Sequence, residues 1–286
     1  MHLLKITDLD VHQINDIFEL ADKLKQKPYQ KVLSNKTFVL FFPESSIRTR
    51  ITFEKGIMDL GGNCILFPPA TLDKREKHED VIKYIENWCD GVIVRYSKID
   101  AIKEMANHAS IPVINAMTAE NHPCEILTDL YGFSRMRSNY LDLTYTFVGE
   151  HANISKSWMR AAKVLDFKLN HVSTTGNEMK KNDNNYAFFT NLDMVLPETD
   201  IVLTDPLPKE LRVPEYFDAY QITSERMETT KENALLNPCP PFFRDEEVSR
   251  DVIDSKYFVG HAFKKNLIYV QQAIILYCLG IQLGGE

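Results

Sequence analysis

The chain has little that would commit it to a disulfide scaffold, a metal centre or a membrane. Its five cysteines (Cys64, Cys89, Cys124, Cys239, Cys278) are an odd number, scattered singly with no C-x-x-C spacing. Neither a disulfide framework nor a zinc site is implied, and all five read as reduced thiols. No apolar run reaches the roughly 18 residues of a membrane helix, and the opening "MHLLKITDLDVHQIN" lacks a basic-then-apolar leader, so a cytoplasmic protein is the expectation. Basic charge is not in excess: the net charge is -7 and the pI near 5.7, which excludes a broad nucleic-acid-binding surface. Any anion site must therefore be local. No G-x-G-x-x-G follows a strand-like run and no P-loop occurs, which argues against a nucleotide-dependent oxidoreductase. There is no internal repeat, and "KKNDNN" (180–185) reads as a solvated loop.

What is present suits a globular protein of two medium domains: 286 residues, 44% hydrophobic and 26% charged. Short apolar, β-branched runs recur between helix-like stretches: "KTFVLFF", "NCILF", "GVIVRY" and "IPVINAM" in the first half, "LTYTFVGE", "KLNHVST", "TDIVLTD" and "ALLNPCP" in the second. This is the rhythm of parallel-sheet α/β architecture. In "HEDVIKYIENWC", Val81, Ile82, Ile85 and Trp88 lie at helical spacing and predict a buried stripe. The fold class expected is α/β, with two doubly wound parallel-sheet domains linked by a helix near 124–138. Residues 1–138 form the first domain and 139–262 the second, with the apolar C-terminal helix within 263–286 returning to the first.

"FFPESSIRTRITFEKGI" (41–57) carries the first chemical signal. A strand ending at Phe42, then hydroxyl residues, then a helical pattern puts residues 45–49 at a helix N-terminus, where free amides and the helix dipole favour an anion. Ser46 and Thr49 add hydroxyl donors, and Arg48 adds a planar fork suited to phosphate. Taken alone, the pattern equally suits Ser46 as an ordinary N-cap beside a solvated basic face. Three further stretches fall where an open α/β sheet holds a ligand, beyond the carboxyl ends of its strands. Arg95 ends "GVIVRY", "NHPCE" (121–125) follows "IPVINAM", and "NPCPP" (237–241) follows "ALL". Singly, His122 reads as a structural histidine and Arg95 as an ion-pair residue; together they read as a site.

These four ordered stretches resemble the aspartate and ornithine carbamoyltransferase family. Its S-T-R-T-R loop is similar to Ser46-Ile47-Arg48-Thr49-Arg50, its strand-end arginine to Arg95, and its H-P-x-Q motif to His122-Pro123-Cys124-Glu125. "KREKHEDVIKYIENWCDGVIVRY" aligns without a gap, which puts Lys74 at the lysine that reaches a neighbouring subunit's site. "NPCPP" stands for H-P-L-P or H-C-L-P, and the likeness covers nearly the whole chain. The resemblance implies transfer of the carbamoyl group of carbamoyl phosphate to an amine in a homotrimer, with neither metal nor cofactor. Ser46, Ile47 (through its amide), Arg48, Thr49 and Lys74 would cradle the phosphate. Arg95, Thr49 and His122 would polarise the carbonyl, and Glu125, Cys239 and Gln271 complete the carbamoyl-phosphate set. Arg48, Thr49, Arg95 and His122 are thus the expected catalytic residues.

The departures from the family pattern bear on the acceptor and on activity. Ile47 replaces a threonine, Glu125 a glutamine, Asn237 a histidine and Gln271 an arginine, and the last three trim positive charge from the site. Erosion of that kind also fits a non-catalytic, carbamoyl-phosphate-binding or regulatory homologue, and aspartate carbamoyltransferase is a further alternative. Asn153 stands where aspartate enzymes carry an arginine and ornithine enzymes an asparagine. Asp205 matches an aspartate that binds the substrate amine in ornithine enzymes, although Asp205-Pro206 also suits a simple turn. With Pro238 and Cys239 these residues form the expected acceptor pocket, for a cationic amino acid or diamine such as ornithine or a shorter diamino acid.

Overall fold

The apolar runs at the centres of the sheets become strands buried on both faces, as in "TFVLF", "GVIVR", "TYTFV" and "IVLT", the condition that a parallel sheet covered by helices imposes, whereas the edge run "NCILF" stays partly exposed. A computed structural model describes residues 1–28 and 30–283. It divides into two compact units, Met1–Arg135 together with the C-terminal segment from Lys264, and Met136–Phe263.

In the first unit the order is α1 (Val11–Gln26), β1 (Thr37–Phe41), α2 (Ile47–Asp59), β2 (Asn63–Phe67), α3 (His78–Ile85), β3 (Gly91–Arg95), α4 (Ile99–His108), β4 (Val113–Met117) and α5 (Pro123–Met136). The four strands run parallel in the order β2-β1-β3-β4. Helix α1 starts from a reciprocal cap, Asp10 accepting from the Gln13 amide and Gln13 from the Asp10 amide, both at 2.9 Å. Phe41, Val92, Val94, Ile82, Ile102 and Met105 share one core cluster between the sheet and α3 and α4.

The stripe expected over 81–88 holds only in part. Ile82 is fully buried, but α3 stops at Ile85, and the turn after it leaves Trp88 72% exposed while Cys89 takes the inward place. The helical period therefore lapses before reaching Trp88.

The second unit contains β5 (Thr144–Val148), α6 (Asn153–Leu165), β6 (Lys168–Val172), β7 (Tyr186–Phe189), β8 (Ile201–Thr204), α7 (Pro214–Tyr220), α8 (Ser224–Glu228), β9 (Leu235–Pro238) and α9 (Arg250–Ile253). Its sheet is parallel, in the order β7-β6-β5-β8-β9. Strand β7 was not expected: it is a four-residue edge strand after an Asn-rich loop, too short to show a period. The last helix, α10 (Asn266–Leu279), is apolar nearly all round because it is enclosed in the first unit, packed on α1 and α2. Gln272 on α10 donates to the Gly56 carbonyl of α2 at 2.8 Å, and a Cβ on Gly56 would meet the Gln272 side chain at 3.1 Å, so glycine there permits the close approach. Two doubly wound parallel sheets with a returning C-terminal helix are thus the observed architecture.

Candidate functional site

Strand β1 leads through Phe42 into the turn 43–46, closed by the Ser46 amide on the Pro43 carbonyl at 2.9 Å, and α2 begins at Ile47. Ser46 occupies the N-cap position, yet its side chain caps nothing. The hydroxyl is buried and instead accepts from Arg95 Nη1 at 3.0 Å, while the same nitrogen lies 3.3 Å from Thr49 Oγ1. Arg95 is the last residue of β3, where the β3–β4 register shifts between Val94 and Arg95 and leaves Ala116 of β4 unpaired. The first-turn amides of α2, left without a side-chain cap, therefore face the strand-end side together with an arginine. Arg48, one residue into the helix, stands exposed beside them, and Ile47 points its side chain outward.

His122 and Glu125 come to the same edge from β4. The connecting turn is fixed by Thr118, whose hydroxyl accepts from the Glu120 and Asn121 amides, each at 3.1 Å. His122 then sits buried immediately before α5, and burial pushes its imidazole down to about 4, with Arg95 and Lys264 also lowering it. At neutral pH it is an uncharged hydrogen-bonding group. Glu125 is buried in the first turn of α5, with Asp129 one turn on. Burial alone would push the Glu125 carboxyl up; the Lys264 ammonium beside it, helped by Arg48, outweighs this and holds it below the ordinary carboxylate range. Lys264 Nζ lies 2.7 Å from Glu125 Oε1 and 2.6 Å from Asp129 Oδ1.

Gln271 is 1% exposed on α10, and neither its amide oxygen nor its amide nitrogen has a hydrogen-bond partner among the described residues. Lys74 does not join this group. It lies on the exposed segment after the 3-10 turn Pro69–Asp73.

In the second unit, Val148, Thr204 and Pro238 are register-matched, so the loops that leave β5, β8 and β9 rise from one edge of the sheet. The β5 loop turns at Gly149, whose φ of +146° is open to glycine, and Ser155 holds it by accepting from the Ala152 amide at 2.7 Å and donating to the Glu150 carbonyl at 3.0 Å. Asn153 is the first residue of α6 there. Asp205 follows Thr204, and Cys239 is tied to the same point by its amide on the Thr204 carbonyl at 2.9 Å. Arg212 braces the Asp205 loop, donating to the Leu207 carbonyl at 3.2 and 3.1 Å and pairing with Glu246 at 3.1 Å. Asn153, Asp205, Pro238 and Cys239 thus share an edge, as Ser46, Arg48, Thr49, Arg95, His122 and Glu125 share one in the first unit. Among the described residues no group of three His, Cys, Asp or Glu side chains is arranged to hold a metal ion.

Residues 1–135 match the family model described as the aspartate/ornithine carbamoyltransferase carbamoyl-P binding domain, and residues 141–278 match its Asp/Orn binding domain. The chain belongs to the aspartate/ornithine carbamoyltransferase family. Among curated relatives, ornithine carbamoyltransferase of Methylobacillus flagellatus is 33% identical over 298 residues, covering 97% of each chain. The corresponding protein of Chromobacterium violaceum is 30% identical over 296 residues, covering 97% of this chain and 96% of its own. Among solved structures, ornithine carbamoyltransferase from Burkholderia thailandensis superposes with a TM-score of 0.89 at 29% identity, covering 97% of this chain and 98% of that one.

Two features of this carbamoyltransferase-family chain were not anticipated from sequence. Lys264 is 139 residues from Glu125, and only the fold brings them together. The available signal was the Glu125–Asp129 spacing: two buried carboxylates one helical turn apart repel and require a cation. The other is Glu247, buried beneath the loop after β9, where Oε1 accepts from the Phe243 amide at 2.7 Å and burial pushes the carboxyl up to about 7.

Proposed function

We propose that the protein transfers the carbamoyl group of carbamoyl phosphate to the amino group of ornithine or a shorter cationic diamino acid, releasing phosphate. The observation that carries this reading is the Arg95 guanidinium held by Ser46 and Thr49 at an α2 N-terminus that no side chain caps. That arrangement offers one anion both backbone amides and a fixed positive fork. In this reading the first-turn amides of α2, Ser46, Arg48 and Thr49 cradle the phosphate, while Arg95, Thr49 and His122 donate to the carbonyl oxygen. The uncharged amine attacks the carbonyl carbon, the C–O π pair moves onto the oxygen, and the same donors stabilise the tetrahedral oxyanion. Its collapse breaks the bond to phosphate, which leaves with the electron pair and takes the amine's surplus proton. No covalent enzyme intermediate is involved, and positioning with electrostatics supplies the acceleration.

The cationic acceptor rests on Asp205 and Asn153 at one sheet edge, with no basic residue at either position. Asp205 would attract the acceptor's ammonium group. Residues 1–138 with the terminal helix are assigned to carbamoyl phosphate and 139–262 to the amine. The test is phosphate release across an amine panel, and a flat panel despite bound carbamoyl phosphate would favour a binding homologue.

The homotrimer belongs to the same proposal. Its support is an exposed apolar face, Ile47, Ile51 and Met58 on α2 beside Ile65 and Phe67 on edge strand β2, together with the exposed Lys74. Isolated faces of this kind mark interaction surfaces. Mixing inactive Lys74→Ala and Arg95→Ala chains should regenerate activity through hybrid sites; no recovery, or an active monomer in sedimentation, overturns it. A cytoplasmic location is supported by five cysteines that all remain free thiols.

A further inference from the structure

We infer that Lys264 is a positioning residue for carbamoyl phosphate: it clamps one oxygen of Glu125, leaving the other aimed to accept from the carbamoyl NH2, and cancels a carboxylate that would otherwise repel the phosphate. The inference rests on the carbamoyl-phosphate reading above.

Its basis is a buried three-residue cluster. Glu125 and Asp129 lie one turn apart on α5, with side chains 6% and 3% exposed, and Lys264, 16% exposed, bridges them. Two ionised carboxylates in that setting repel and lose hydration, an arrangement that persists only with a countercharge. The cation comes from just before α10 and not from α5 itself, so it fixes Glu125 from outside the helix. A carboxylate with one oxygen held by an ammonium keeps its plane, and its second oxygen is a stronger acceptor for an amide N–H than a neutral amide would be. The charge balance points the same way. Lys264 Nζ, 2.7 Å from Glu125 Oε1, sets a cation directly against the carboxyl that it holds below the ordinary range, while the buried His122 carries no charge at neutral pH.

Lys264 is thereby distinguished from a merely structural ion pair by which carboxylate it serves. Calorimetry with carbamoyl phosphate on the wild-type protein comes first, since absence of binding there refutes the proposed function rather than this inference. Lys264→Met should then raise the KM for carbamoyl phosphate roughly ten- to hundredfold, the scale of losing one charge-assisted hydrogen bond beside a buried uncompensated charge. kcat should change less. Adding Glu125→Gln to Lys264→Met should restore most of the lost affinity, because a neutral amide needs no clamp and repels no phosphate. Adding Asp129→Asn should not. An unchanged KM in Lys264→Met, or rescue by Asp129→Asn alone, overturns the inference and leaves Lys264 as a charge balance for α5. If Lys264→Met does not fold, Glu125→Gln/Asp129→Asn is compared with and without Lys264→Met. A KM difference under about twofold, within the usual error of additivity, supports the inference, and a larger loss overturns it.

Discussion

Replacing Gln271 by leucine should stabilise the ligand-free protein while weakening its response to carbamoyl phosphate. The side chain is 1% exposed, and both its amide oxygen and nitrogen are buried without a partner among the described residues, whereas neighbouring Gln272 donates to Gly56 at 2.8 Å. Leaving buried amide groups unpaired costs about 1–3 kcal/mol, and leucine of similar volume removes that penalty without opening a cavity. A gain of about 1–2 kcal/mol corresponds to a rise of roughly 2–8 °C in the Tm of units this size. Carbamoyl phosphate at a hundred times its Kd should stabilise the wild-type protein by about 2.7 kcal/mol, and a tenfold loss of affinity would remove about 1.3 kcal/mol of that. Thermal unfolding with and without freshly added carbamoyl phosphate reads both effects at once. A lower Tm in the ligand-free variant with an undiminished ligand shift would refute the reasoning, since the amide would then be serving the fold.

Arg95→Ala should lower kcat at least about a hundredfold with little change in fold, as loss of an oxyanion donor does, and a loss under about threefold would remove Arg95 from the carbonyl site. Arg48→Ala should weaken carbamoyl phosphate binding at least about tenfold in calorimetry, because it removes a charged hydrogen-bonding partner. His122, with a folded-state pKa near 4 against an ordinary 6.5, stays neutral while the unfolded chain takes up a proton. Its contribution to stability is therefore present above pH 6.5 and lost as pH falls toward 4, and His122→Asn should flatten that part of a denaturation profile. Glu247 acts in the opposite sense: its folded pKa of about 7 lies above the ordinary 4.5, so its contribution is full below 4.5 and disappears as pH rises through 7. Glu247→Gln should thus be more stable than the wild type at pH 8 and near parity at pH 4.5, and a uniform loss at both would contradict the assignment.

The parallel sheets were legible because strands buried on both faces read as unbroken apolar runs such as "TFVLF" and "GVIVR". Edge strand β7 escaped because four residues carry no period, and Trp88 was misplaced because the helical pattern ran past the end of α3 at Ile85. At the site, the order of motifs identified Ser46, Thr49, Arg95, His122 and Glu125 as a group, since each falls at a strand end or helix start. Spacing alone left Ser46 equally suited to capping α2; its hydroxyl turning to Arg95 is a tertiary fact. Glu125 read as a negative charge set against phosphate, because the compensating Lys264 is remote in sequence and nothing local marks it.

Acceptor choice is read from initial rates of phosphate release from carbamoyl phosphate with L-ornithine, 2,4-diaminobutyrate, 2,3-diaminopropionate, putrescine, L-lysine and L-aspartate. One cationic diamino acid should stand well above the rest, with that preference lost in Asp205→Ala. L-aspartate as the preferred acceptor, or a flat panel over a protein that binds carbamoyl phosphate, would contradict it.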